Sequence, residues 1–216
     1  MYKLKLKEAL RFLIFFSSMI LNAFSVYLVI LSSLGTHPID ALAVGFNKLA
    51  PISIGMWLNI ISTVMILTGS LLERRCDWID SLKTLGVSFF CGWLIDIWGE
   101  ICFKNWLLLV LSRKTQILLF LIGIILYSFA IALHISIKYP VSALDRLMIS
   151  IVKVTHRSLG FSRLLLEGTL TLLSLMVGGS IGIGTVAIVI VFPLLLDTIY
   201  KPVKRGIDKF LGQGAI

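Results

Sequence analysis

The sequence predicts an all-α polytopic membrane protein of about six transmembrane helices in two inverted three-helix repeats, each with one short non-spanning helix. Three observations predict it. First, 58% of the 216 residues are hydrophobic and 14% are charged, with a mean hydropathy of +0.99. A soluble core of this length cannot hide that much apolar surface, so lipid is the expected solvent. Second, six apolar stretches are long enough to cross a bilayer core of ~30 Å, which takes ~20 helical residues. Third, residues 13–68 lie on 118–173 without a gap, at an offset of 105, and polar positions coincide: Asp40 with Asp145, Lys48 with Lys153, Ser53 with Ser158, Gly55 with Gly160. Shared leucines would mean little in two apolar stretches. An Asp, a Lys and a Ser-x-Gly at matching spacings point to one ancestral unit used twice.

The chain reads as a single membrane domain, 1–216, with repeat 1 at 9–104, repeat 2 at 115–201 and a basic tail at 202–216. The opening Lys3, Lys5 and Lys7 ahead of an apolar run resemble a signal peptide. That run continues from about Ala9 to Ser33, longer than a signal core, and shares Phe24/Phe129 and Leu28/Leu133 with the second copy, so it is expected to be the first span. The other spans are expected at 52–72, 84–103, 115–137, 158–178 and 181–200. Between spans one and two lies 38–50, and between four and five lies 140–155. Both look helical but are too short to cross: Asp40 to Ala50 rises only ~16 Å. Asp40 follows Pro38 by two, which suits Pro at a first helical position and a carboxylate among free backbone N–H groups. Asp145 follows Ser142 by three, a capping spacing.

Orientation follows from the 20 Lys and Arg. With a cytoplasmic N-terminus and six crossings, all but Lys48, Lys104, Arg113 and Lys114 fall inside, as the positive-inside rule requires. Three crossings per repeat is an odd number, so the second copy enters the membrane inverted. Both chain ends are then expected to be cytoplasmic. The repeat resumes near the end of the third and sixth spans, where 92–96, GWLID, matches 193–197, PLLLD, aligning Asp96 with Asp197.

The net charge of +9 falls in clusters between apolar runs, so it argues for topology and not for nucleic acid. Cys76, Cys91 and Cys102 have no metal-ligand spacing and are expected to be free thiols. His37, His134 and His156 have no zinc or triad spacing, and the run 178–185, GGSIGIGT, follows no strand and lacks a phosphate-loop Lys. It reads as a tight turn. No enzyme, cofactor or metal is expected.

Carboxylates inside apolar runs are costly unless paired or hydrated, so they are the functional candidates. Asp96 and Glu100, four apart on one helix face, are the expected ion or proton carriers, opposed by a plainer reading in which Glu100 reaches headgroups and Asp96 bonds a neighbouring helix. Asp40 and Asp145 are expected to organise the starts of the short helices, at which broken-helix transporters also hold ions or substrate. Arg163 and Glu167 form an i,i+4 pair whose simplest role is mutual neutralisation and whose sharper one is a gate. Asn22, Asn59 and His134 suit interhelical hydrogen bonds, Gly86, Gly92 and Gly99 close helix approach, and the five tryptophans an interfacial belt.

The run 34–42, LGTHPIDAL, followed by Gly55, resembles the first-half motif of the bacterial YczE/YyaS/YitT-like membrane protein family. Asp145 to Met148, Gly160 to Arg163 with Glu167, and 178–185 resemble its second-half motif, so the resemblance covers about 12–200. The family pattern has a Pro before the second Asp where this chain has Ala143, with Pro140 earlier, which moves the expected start of the second short helix. The resemblance implies a multi-pass protein of the bacterial plasma membrane and carries over no catalytic residue. The expected function is transport of an unidentified small solute between the repeats, with a homodimer or partner subunit completing the pathway at this small size. The alternatives are a non-transporting accessory protein that stabilises a biosynthetic or signalling partner, and a substrate-binding subunit of a multi-component transporter.

Overall fold

The computed structural model describes residues 2–74, 78–102, 112–137, 142–157 and 159–211. Among them are eight α-helices and no strand. They are α1 (Tyr2–Ser32), α2 (Pro38–Leu49), α3 (Ile54–Glu73), α4 (Trp78–Ile97), α5 (Arg113–Ser136), α6 (Ala143–Thr155), α7 (Leu159–Met176) and α8 (Ile183–Phe210). A π-helical turn, Trp98–Cys102, extends α4. Cys76, Lys104, Trp106, Pro140, Ser158 and the last five residues of the tail lie outside the described residues.

Five helices are long and apolar enough to cross a membrane: Lys7–Ser32 of α1, α3, α4 with its π turn, α5 and α8. The fifth expected span is α7, whose 18 residues rise ~27 Å, a little less than a ~30 Å core. The short helices start where their local chemistry says they should. Pro38 opens α2 with Asp40 in its first turn. Ser142 caps α6, its Oγ accepting the Asp145 N–H at 3.2 Å and donating to Asp145 Oδ2 at 2.8 Å. The end of α8 differs from expectation: the helix passes through Pro193 and Pro202 and runs on to Phe210, so most of the basic tail is helical. There Ile207 and Leu211 are buried with Ile137, against Leu10 and Ile14 near the start of α1.

The most extensive helix pair is α1 with α5. Ser18, Ser25 and Ser32, seven apart along α1, are all buried, and each hydroxyl donates back to a carbonyl three residues earlier. Gly123 of α5 comes against Val29 and the Ser25 carbonyl of α1. Helices in lipid gain little from apolar contact as such, so small or internally satisfied side chains that let backbones approach are what hold such a pair. Around it, α4 packs on α1 and α3, α8 on α5, α6 on α3, and α7 on α2, while α2 and α6 lie against α3 and α7 respectively. The main core, including Met19, Leu42, Met65, Leu94, Leu147 and Leu170, draws on all of these except α5 and α8.

Candidate functional site

Two non-helical connections cross inside the bundle. The α1–α2 connection donates Thr36 N–H to Ser180 O at 3.0 Å, and Gly184 at the start of α8 donates its N–H to Leu34 O at 2.8 Å. Gly35 stands at the crossing with φ +115°, and a Cβ there would lie 2.7 Å from both Gly182 N and Thr185 Oγ1. Only glycine satisfies both the backbone angle and the space. Backbone groups left free where these helices end thus satisfy one another, which is the condition for irregular backbone within a membrane protein.

Beside this crossing a row of charged groups runs inward. Arg163 Nε donates to Glu167 Oε1 at 2.8 Å, and His37 Nε2 faces the same oxygen at 3.8 Å. Exposure falls along the row, from 38% for the Arg163 side chain to 11% for Glu167 and 7% for His37. His37 Nδ1 and Thr36 Oγ1 are buried with no hydrogen-bond partner among the described residues. Asp40, buried on the first turn of α2, lines a small cavity with His37 and Tyr127 and the apolar Val26, Val29, Ile124 and Ile188. Its volume of about 10 Å³ is room for about one water. Burial pushes the Asp40 carboxyl up to about 6, with the neighbouring His37 opposing that rise. Tyr127 lies within electrostatic reach of Asp40, Asp145, Cys91 and Arg163.

The four acidic candidates therefore separate. Asp40 alone lines the cavity. Asp96 Oδ2 accepts the Ser53 hydroxyl at 2.6 Å and Oδ1 accepts the Gly55 N–H at 2.8 Å, so it satisfies the start of α3 from across the α3–α4 interface. Glu100 is exposed on the π turn. Asp145 is engaged with its own cap. Arg163 and Glu167 are joined, with His37 as a third member that the sequence did not offer. His37 and Glu167 are 130 residues apart, and neither spacing nor periodicity links them.

Two further contacts tie the short helices to distant spans. Lys153 of α6 meets Glu73 Oε2 at 2.9 Å, where Ser150 Oγ also donates to Oε1 at 2.7 Å, and Lys48 of α2 donates to Gly178 O at 2.8 Å. Trp57 stacks on Phe46 with ring centroids 4.7 Å apart, so it joins α3 to α2, whereas Trp78 and Trp93 are exposed. Cys91 is a free thiol. No group of three or more His, Cys, Asp or Glu suited to a metal occurs among the described residues.

Residues 9–201 match the model of a family of unknown function, DUF6198. The chain is similar to two Bacillus subtilis proteins. The uncharacterized protein YyaS is 31% identical over 83% of this chain and 87% of its own length. The uncharacterized membrane protein YczE is 28% identical over 89% and 86%. An uncharacterized Haemophilus influenzae protein is 29% identical over 74% of this chain and 69% of its own. No solved structure matches this chain. An all-helical bundle with apolar spans, together with these matches, makes this an integral membrane protein that belongs to the DUF6198 family.

Proposed function

We propose that this protein is a transporter that moves a small solute across the bacterial plasma membrane through a site between two inverted repeats. The single observation that carries the reading is the row that leads from half-buried Arg163 to buried Glu167, His37 and Asp40, beside two hydrogen-bonded non-helical connections. Broken segments with polar groups at a repeat interface are where secondary transporters bind their cargo.

Paired contacts support the inverted repeat. Lys48 and Lys153 are 105 apart, and so are their partners, Gly178 and Glu73, each in the opposite repeat. Likewise α3 with α6 corresponds to α7 with α2, and α1 with α4 to α5 with α8. Packing of the α8 end on the α1 start supports an even number of crossings, which makes α7 the sixth span. The Lys and Arg distribution supports cytoplasmic termini. In this reading Asp40 is the carboxylate of the site, Asp96 fastens α3 to α4, Asp145 organises α6, and Glu100 faces outward.

The test is two-sided access. Ile188→Cys, placed in the cavity wall of a chain freed of its three native cysteines, is expected to react with a membrane-impermeant maleimide from either face of oriented vesicles. A folded protein whose Cys is reached from neither face contradicts transport. The small size of the cavity favours a second reading, a non-transporting accessory protein with a solid helical core. That reading predicts the second outcome.

A further inference from the structure

We propose that Asp40 and His37 bind one exchangeable proton, and that this proton is the coupling ion of the transporter; the inference rests on the transport reading above. The cavity selects the ion. A hard metal cation needs about six oxygens in place of its water shell. Here the polar lining is one carboxylate, one phenol and one imidazole, with room for about one water. A proton needs only one acceptor and a neighbour to pass to. Among the described residues no side-chain hydrogen bond holds the Asp40 carboxylate, and His37 keeps an unpartnered buried nitrogen. A buried nitrogen without a partner is costly unless a hydrogen-bonded proton or water satisfies it.

Beyond His37 on the segment of Asp40 itself, α4 brings Cys91, α5 brings Tyr127, and α7 brings Glu167 with Arg163. Glu73, the one charged residue of α3, which also packs on α2, lies at that helix's far end and pairs with Lys153. Asp145 of α6 acts on Tyr127. The cavity walls from α1 and α8 are apolar. In one state the proton sits on Asp40 as a neutral carboxylic acid, beside a neutral imidazole. In the other, the O–H bond of Asp40 breaks and an N–H bond forms on His37, giving an imidazolium between two carboxylates, Asp40 and Glu167. Release from the ring toward the Glu167 and Arg163 end returns the imidazole to its neutral form. Exactly one proton is exchanged per cycle, and no other reactant is required.

Infrared difference spectroscopy of the purified full-length protein in detergent, taken between mildly alkaline and mildly acidic solution, tests the site without any solute. Acidification is expected to bring up the carbonyl band of a buried protonated carboxyl. Asp40→Asn should lose that band, Asp40→Glu should restore it at a shifted frequency, and Asp145→Asn should keep it. His37→Gln, which removes the group that opposes the burial-driven rise at Asp40, should move the midpoint to higher pH. A full band in folded Asp40→Asn, or no band in the unaltered protein, overturns the proposal. Should Asp40→Asn not fold, an unmoved midpoint in His37→Gln overturns it instead. Because maleimide access is measured separately, a proton site in a protein closed on both faces would reject transport and leave the site standing.

Discussion

Gly55 and Gly92 show how little room one residue can have. A Cβ on Gly55 would run into the Gly92 carbonyl, and one on Gly92 would lie 2.5 Å from Gly55 O and 2.8 Å from Asn59. Overpacking of this kind costs about 1–3 kcal/mol, so Gly55→Ala should lower the melting temperature in detergent by several degrees, whereas Gly86→Ala, which meets nothing, should not. Asp96 sits at the same contact. Replacing its two charge-assisted bonds in Asp96→Asn should cost about 1.5–3 kcal/mol of thermal stability, and an unchanged melting curve would show that the fastening is idle. The sequence made Gly92 legible as a close approach and Asp96 as an unusual carboxylate. It could not say which helix faces Asp96, and the plainer of its two readings, a bond to a neighbouring helix, is where the carboxylate lies. His37 was less legible still: a histidine before a short apolar helix has no visible partner until α7 is brought against α2.

Among the elements, α2 and α6 were readable because Pro38 and Ser142 mark their starts and their length forbids a crossing. The end of α8 was not, because a proline and four basic residues after Tyr200 carry the composition of a tail. Burial of Ile207 and Leu211 recruits that stretch into the helix, and tertiary packing overrides the local signal. The α3–α6 contact offers a direct check. A Cβ on Gly69 would lie 3.6 Å from Ser150 Cβ, inside the window for a disulfide of about 3.5–4.5 Å. Gly69→Cys with Ser150→Cys, in a chain lacking the native cysteines, is expected to cross-link under mild oxidation and shift on a non-reducing gel. Persistence of two free thiols would displace α6 from α3. The neighbouring Lys153–Glu73 pair is partly exposed, so Lys153→Gln should cost no more than about 1 kcal/mol in the same melting assay.

At the scale of the whole molecule, hydropathy identified lipid as the solvent, and many large apolar side chains lie exposed along α3, α5, α7 and α8. Crossing number was harder to read, because α7 combines marginal length with Arg163 and Glu167. Reporter fusions at the two chain ends decide it: six crossings put both reporters on one side of the membrane, five put them on opposite sides. The serines along α1 have a consequence for the order of assembly. Their partner surface near Gly123 is translated about a hundred residues later, which at about 5–20 residues per second leaves the first helix waiting for about 5–20 seconds. During that interval its seam faces lipid or a chaperone. A ribosome stalled before α5 should therefore hold a nascent chain whose Ser25 face remains open to photo-cross-linking, closing only when the fifth helix is released.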